Sequence, residues 1–225
     1  MFFRALAAAI AVSALGLTGS AAAQAAAAPG GQLTGTQLAS ALLPVSYFPA
    51  RYEILWHGSS GSRLEHPAVK VNQYTFSCTS WLEGGEPDEG YGETAYAGDQ
   101  VATTMGFQYQ DVQMVYQFPS ASAAASYYRA NYALAKRCET VTASIAGGAE
   151  KLTTQSLTAG RADGYPAFFQ VQTVTQPGGG GINDAETVLA GRYVVSIDRI
   201  EPLAHTLQSP SAATLALITR VQAAR

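Results

Sequence analysis

The stretch from Asp111 to Cys138 changes its hydrophobic period once, and the change is sharp. Residues 111–118 alternate strictly, with Val112, Met114, Tyr116 and Phe118 facing one way and Gln113 and Gln117 the other. This alternation predicts a half-buried strand. Pro119 ends the pattern, and Ser120 or Ser122 can cap a helix that runs to about Cys138. Lys136 and Arg137 suit the C-terminal end of such a helix.

Weaker patterns on both sides complete an α+β fold. Thr36–Pro44 predicts a short helix capped by Thr36, and Pro210–Ala224 predicts an amphipathic closing helix. Strands are expected at Glu139–Ser144, Tyr165–Thr175 and Glu186–Ile200, with a flexible loop over Gln176–Asp184. The links between these strands are short, so the strands should pair antiparallel. We therefore expect one twisted antiparallel sheet with helices packed mainly on one face.

The N-terminus has the pattern of a secretory signal peptide over residues 1–23. A single Arg4 precedes an apolar run of about 13 residues, and Ala21 and Ala23 then supply small side chains for cleavage before Gln24. A membrane anchor is the alternative, but such a run is short of the roughly 20 residues that span a bilayer. Residues 24–33 resemble a flexible leader, which leaves 34–225 as a single domain.

Cys78 and Cys138 are the only two cysteines. An exported protein meets an oxidising compartment, so the two are predicted to form a disulfide. Closing a loop of about 60 residues would contribute roughly 4 kcal/mol in the chain-entropy model. A reactive thiol is the alternative, and it would need a base that the sequence cannot place.

The charge balance argues against nucleic acid as a partner. The 225 residues carry 16 acidic and 13 basic side chains, so no basic excess exists to replace phosphate counterions. Residues 71–128 contain no lysine or arginine but seven acids. This stretch could coordinate calcium, yet it lacks the spacing of an EF-hand loop and fits a solvated loop better. We expect no metal and no other cofactor.

Catalytic motifs are missing from the sequence. It contains no G-x-S-x-G, H-E-x-x-H, C-x-x-C or G-x-x-x-x-G-K pattern. The three histidines, His57, His66 and His205, are far apart, and a zinc site would need them to converge. A hydrolase remains an alternative because a triad is defined by geometry. It requires one of these histidines to contact a nucleophile or a carboxylate inside a pocket.

Aromatic side chains concentrate around Cys78 and in the acidic stretch. Tyr74, Trp81, Tyr91 and Tyr96 belong to this group. Several tyrosines in one region often line a wet groove, which makes these four residues candidates for a groove wall. The simpler interpretation is that they pack around the disulfide and the sheet.

Four features together resemble the PknH-like extracellular sensor domain family of actinobacteria. They are the opening helix ending in Leu42-Leu43-Pro44 and followed by Phe48-Pro49, the Cys78 segment, the strand–helix unit with Phe118-Pro-Ser-Ala121 and a terminal cysteine, and the closing strands and helix. The resemblance covers residues 34–225. It implies an α+β domain with a groove for an unidentified ligand and no catalysis. The chain lacks the cysteines for the second disulfide that members often have.

The sequence thus favours an exported, non-catalytic, sensor-like binding domain that is secreted or held in the cell envelope. Its expected partner is an extracellular small molecule, a glycolipid or an envelope protein. No membrane span is expected after signal cleavage. A secreted hydrolase and a structural interaction protein of the envelope are the alternatives.

Overall fold

A single antiparallel sheet organises the chain. The computed structural model describes residues 31–48, 52–59, 92–103, 110–145, 148–176, 179–202 and 211–225. Within these ranges the sheet has eight strands in the order β1-β2-β3-β8-β7-β6-β5-β4. The strands are β1 Tyr52–Ser59, β2 Ala95–Thr103, β3 Gln110–Gln117, β4 Thr140–Ile145, β5 Gly148–Ala162, β6 Tyr165–Gln176, β7 Gly179–Ala190 and β8 Tyr193–Pro202.

Three α-helices and one short 3-10 helix accompany the sheet. They are α1 Gly35–Ala41, the 3-10 turn Val45–Tyr47, α2 Ala121–Arg137 and α3 Ser211–Ala223. The predicted helix after Pro119 is confirmed in detail, because the Ser120 hydroxyl accepts the Ala123 N–H and the last turn holds Lys136 and Arg137. The predicted cap of the first helix was wrong: Thr34, not Thr36, caps α1 through a capping box with Gln37.

The sheet is covered on both faces. Helices α1 and α3 pack on the face that carries Val115, Val188 and Val195, which we call the α1/α3 face. Helix α2 packs on the opposite face, the α2 face, against Val194 and Tyr116. The α+β class is confirmed; of the three described α-helices, two pack on one face and α2 packs on the other. Phe118, at the junction of β3 and α2, is buried between the helix and this second face, in contact with Tyr127 and Val194.

The structure contains two tight hairpins that the sequence analysis does not predict. Asp163 and Gly164, with φ of 46° and 84°, connect β5 to β6. Gly191, with φ of 66°, begins the two-residue turn between β7 and β8. Positive φ at such turns matches the twist of paired strands, which is why Asp-Gly and Gly-X sequences favour them. The predicted strand Glu186–Ile200 is therefore two strands.

The predicted loop Gln176–Asp184 is also corrected, because β7 begins at Gly179. Gly180 and Gly181 lie so close to neighbouring backbone that an added Cβ would sit 2.7 Å from the Val174 oxygen and 2.6 Å from the Glu201 oxygen, respectively. Glycine is needed here for close strand packing and not for flexibility.

The central strand β3 buries the face that its sequence marks as polar. Gln113 and Gln117 are 1% and 0% exposed, whereas Val112, Met114 and Tyr116 remain half-buried. The reason is that both glutamines bind main-chain groups of the N-terminal segment. Gln113 accepts the Leu43 N–H and donates to the Leu43 oxygen, both at 2.9 Å. Gln117 makes the same pair of bonds with Leu33, at 2.8 and 3.0 Å.

The predicted signal peptide and most of the predicted leader, residues 1–30, lie outside the described residues. Of the helices in the described ranges, none has the length and apolarity to cross a bilayer.

Candidate functional site

Most of the predicted groove wall falls outside the described residues. This holds for Tyr74, Trp81 and Tyr91, whereas Tyr96 lies on β2. Its register partner is Tyr116 of β3, so the half-buried Tyr96 points to the α2 face. A wall that joins all four rings stays a prediction.

Cys138 ends α2 and is 1% exposed, with its N–H bonded to the Leu134 oxygen. The described residues contain no free cysteine. Cys78 lies outside them, so the Cys78–Cys138 disulfide also stays a prediction.

The α2 face carries a band of polar side chains that is not among the predicted site residues. The strands β5, β6, β7 and β8 contribute side chains to it in adjacent register positions. We call this band the polar stripe and define it as Thr154, Gln170, Gln172, Asn183, Thr187, Ser196 and Asp198.

The first half of the polar stripe is a chain of amide contacts. Gln170 and Gln172 donate to the Thr154 hydroxyl at 3.0 and 3.5 Å, and Asn183 donates to the Gln172 oxygen at 3.1 Å. Gln170, Gln172 and Asn183 are 1%, 1% and 8% exposed. Thr154 is half-buried, so it lies nearer the solvent.

One acceptor atom in this series of amide contacts has no hydrogen-bond partner. The Asn183 Oδ1 atom is buried and accepts no hydrogen bond. Leaving such a group unpaired costs about 1–3 kcal/mol, and buried polar atoms are otherwise nearly always satisfied. An unpaired buried acceptor within a polar band indicates a position where a donor from a ligand or a water molecule belongs.

The second half of the polar stripe contains its only ionisable group. Thr187 donates to the Ser196 hydroxyl at 3.5 Å, and Ser196 donates to Asp198 Oδ1 at 3.2 Å. Desolvation raises the pKa of Asp198 to about 6, and the hydrogen bond from Ser196 opposes this rise. Ser196 and Asp198 nevertheless keep part of their surface accessible. This combination indicates a carboxyl group that is enclosed by protein but still reachable.

Aromatic rings flank the polar stripe where α2 crosses the sheet. Phe168, the cross-strand partner of Thr187, contacts the Tyr128 and Tyr132 rings at centroid distances of 5.4 and 5.5 Å. Burial and the neighbouring Tyr132 raise the pKa of Tyr128 to about 12. Both tyrosines are half-buried, so rings and polar groups meet at a partly accessible boundary.

The opposite, α1/α3 face holds a second polar cluster, formed by Asp111, Asp184, Glu186 and Arg199. Asp111 binds Arg199 at 2.7 Å, and burial still raises the pKa of Asp111 above its usual range. Burial likewise raises the pKa of Asp184 and of Glu186. The Thr214 and Ser211 side chains of α3 lower the pKa of Glu186 in part, although neither buried carboxylate oxygen of Glu186 accepts a hydrogen bond of normal geometry.

His57 is the one histidine within the described residues, and it contacts a carboxylate. Its Nδ1 atom lies against Asp99 Oδ1 on the α1/α3 face, where Asp99 also receives a weak bond from Gln113 at 3.5 Å. In the described ranges no serine or cysteine side chain bonds the His57 ring. His66 and His205 lie outside those ranges. Within the described part of the chain, the arrangement supplies a base and the carboxylate that orients it, and no nucleophile.

No cluster of three or more potential metal ligands occurs within the parts of the chain that the structure describes.

A signal for the polar stripe exists in the sequence. Gln170 and Gln172 alternate with Phe169 and Val171, which places two amides on one face of a strand. Because the same strand is buried on that face, amides there indicate a hydrogen-bonded network and not a solvated edge.

One antiparallel sheet with helices on both faces defines the chain as an α+β domain. The same fold occurs in the extracellular domain of PknH from Mycobacterium tuberculosis. That structure matches with a TM-score of 0.62 and 16% identity, covering 86% of this chain and 100% of the PknH domain. The resemblance to PknH-like sensor domains is thereby confirmed at the level of the fold.

A putative uncharacterized protein of Mycobacterium smegmatis, the Rv0999 ortholog, is more distant. Its TM-score is 0.36 at 11% identity, over 84% of this chain and 95% of that one. This value is too low to support an argument. The sequence matches no protein-family model and no curated protein.

Proposed function

We propose that this protein is an exported, non-catalytic binding domain of the cell envelope, and that its ligand site is the polar stripe. The observation that carries the proposal is the unpaired, buried Oδ1 atom of Asn183 inside a band of hydrogen-bonded side chains. Such a band is costly to bury, and a bound ligand would supply the missing donor.

Export is supported by the signal-peptide pattern of residues 1–23 and by the fold shared with an extracellular domain. On this proposal the mature protein has a short leader, residues 24–33, and one domain, 34–225. It is secreted or retained in the cell envelope, where its partner is a small molecule, a glycolipid or an envelope protein.

The proposed disulfide would connect the predicted groove wall to the site. Cys138 ends α2, the helix that crosses the α2 face. A bond from Cys78 would bring the segment around Tyr74 and Trp81 to the end of that helix. Tyr96 already points to the same face, so the aromatic segment would border the polar stripe.

A hydrolase is the less supported alternative. The His57–Asp99 pair lies on the α1/α3 face, and Asp99 is 5% exposed beneath α1. A substrate would have to reach His57 at the outer strand β1, with a nucleophile from outside the described residues.

A thermal-shift screen tests the binding function. Envelope glycolipids, sugars and peptides are added to the mature protein, and a ligand that binds the native state raises the melting temperature by mass action. The matched variants are Asn183→Leu, which removes the unpaired acceptor, and Gln155→Ala, which removes an exposed amide on β5.

We expect stabilisation in the wild type and in Gln155→Ala, and its loss in Asn183→Leu. A flat response across the whole screen would contradict the proposal. Equal stabilisation of all three proteins would place the ligand elsewhere.

A further inference from the structure

We infer that the polar stripe binds an uncharged, hydroxyl-rich ligand of the carbohydrate type. This inference rests on the proposed function, and it adds the chemical class of the ligand. Three features of the site carry it: its charge, its hydrogen-bonding capacity and its aromatic border.

The polar stripe has no positively charged side chain, which argues against an anionic ligand. Its seven side chains are three amides, three hydroxyls and the carboxyl of Asp198, with no lysine, arginine or histidine among them. A phosphate or carboxylate would lose its hydration and meet no positive charge among these seven side chains. Such ligands are normally held by arginine, lysine or helix N-termini.

The hydrogen-bonding capacity fits hydroxyl groups. An amide and a hydroxyl each donate and accept, and a ligand hydroxyl does both as well. The Asn183 Oδ1 atom needs a donor. Ser196 occupies only Asp198 Oδ1, which leaves Oδ2 as a second acceptor at the accessible end. A ligand with several hydroxyls can satisfy both acceptors, whereas an apolar ligand would leave them buried and unpaired.

The spacing of these groups favours a ring-sized ligand. Asp198, Ala185 and Gln170 occupy three adjacent strands in one row. Adjacent strands lie about 4.8 Å apart, so Asp198 and Gln170 are separated by about 10 Å with the short Ala185 side chain between them. The short Ala185 side chain, which is 8% exposed, therefore has polar groups on two sides.

The aromatic border completes the resemblance to a sugar site. Phe168, Tyr128 and Tyr132 lie next to Thr187 and Gln170 on the same face. A sugar presents hydroxyls at its edge and C–H groups on its faces, so it matches a site where polar groups adjoin rings.

A buried water molecule is the competing explanation for the unpaired acceptor, because waters commonly bridge such groups. Side-chain NMR of the isotope-labelled mature protein distinguishes the two. The NH2 signals of Gln170, Gln172 and Asn183 are followed during titration with neutral disaccharides, namely maltose, cellobiose and lactose. Glucuronate, glucosamine and 1-octanol serve as anionic, cationic and apolar probes.

We expect at least one neutral disaccharide to shift these three signals in a saturable way, with no shift from glucuronate or 1-octanol. The exposed Gln155 and Gln222 amides are internal controls. In Asn183→Leu the apparent Kd should rise at least tenfold, while Gln155→Ala keeps the wild-type value.

The outcomes separate the inference from the function on which it rests. Saturable shifts at the polar stripe from a charged or apolar probe, without any from the disaccharides, would overturn the ligand class and leave a binding site. Silence of these signals toward every probe, with exchange data showing a bound water at Asn183, would overturn both. Shifts confined to Gln155, Gln222 or other surface amides would overturn this placement of the site.

Discussion

Replacing Gln113 by methionine should destabilise the fold strongly although it makes the core more apolar. Methionine keeps the length of the side chain but loses both bonds to Leu43, whose N–H and C=O lie 2.9 Å from the amide. Leu43 is 2% exposed, so water does not readily replace them. Two orphaned main-chain groups cost about 1–3 kcal/mol each, and the gain from burying a thioether offsets part of this.

We therefore expect a loss of about 2–4 kcal/mol for Gln113→Met, a large share of the roughly 5–15 kcal/mol of a typical domain. The melting temperature of a chain this size should fall by about 5–15 °C. Urea denaturation followed by circular dichroism measures the loss. Gln155→Met, at an exposed glutamine, is the control and should stay within about 0.5 kcal/mol of wild type.

Hydrogen exchange adds a local readout, because the Leu43 amide should lose its protection before the sheet does. Gln117 binds Leu33 at the other end of the same segment. If the segment detaches as a unit, the double variant Gln113→Met/Gln117→Met should lose less stability than the sum of the losses in the two single variants. A Gln113→Met variant as stable as the Gln155 control, with unchanged exchange at Leu43, would refute the reasoning.

Three further predictions concern the polar stripe, the Asp111–Arg199 pair and the glycines that begin β7. The pKa of Asp198 rises from 3.8 to about 6 on folding, so its stabilising contribution is full below about pH 4 and is lost as pH rises through 6. Asp198→Asn should abolish this pH-dependent loss, which amounts to roughly 3 kcal/mol in the free energy of unfolding, in urea titrations at stepped pH. An unchanged pH dependence would assign the loss to other groups. Arg199→Met should cost about 3–5 kcal/mol by stranding buried Asp111, and adding Asp111→Leu should recover much of it in a double-mutant cycle. Gly181→Ala should cost about 1–3 kcal/mol because its Cβ would meet backbone, whereas Gly179→Ala, with open space, should be near neutral; equal melting temperatures would argue against close packing at Gly181.

The sequence predicted the elements whose signals are local. The β3–α2 unit follows from strict alternation, a proline break and a capping serine, and each of these depends on neighbours in the chain. The antiparallel pairing followed from short links. Asp163-Gly164 and Gly191-Arg192 carry equally local turn signals, but the predicted strands lack β5 and join β7 to β8.

The candidate site depends on information that no local pattern holds. Gln113 and Gln117 look like a solvated face because their partners, Leu43 and Leu33, lie 70 and 84 residues away. The polar stripe likewise forms only when four strands align in register. Whether an amide faces water or a distant main chain is decided by tertiary pairing, which outweighs intrinsic preference.

The pairing of β3 with β8 has a consequence for how the chain folds. Strands β4 to β8 follow one another as successive hairpins and can assemble from contacts between neighbours in the chain. Strand β3, in contrast, can complete its pairing only when β8 is present. Such a contact closes a loop of roughly 80 residues, and loop closure over long separations slows folding. We therefore expect the C-terminal meander to form first and the β1–β3 half to dock late. During synthesis from the N-terminus, β3 would have β2 beside it but would lack its second neighbour until β8 has been made.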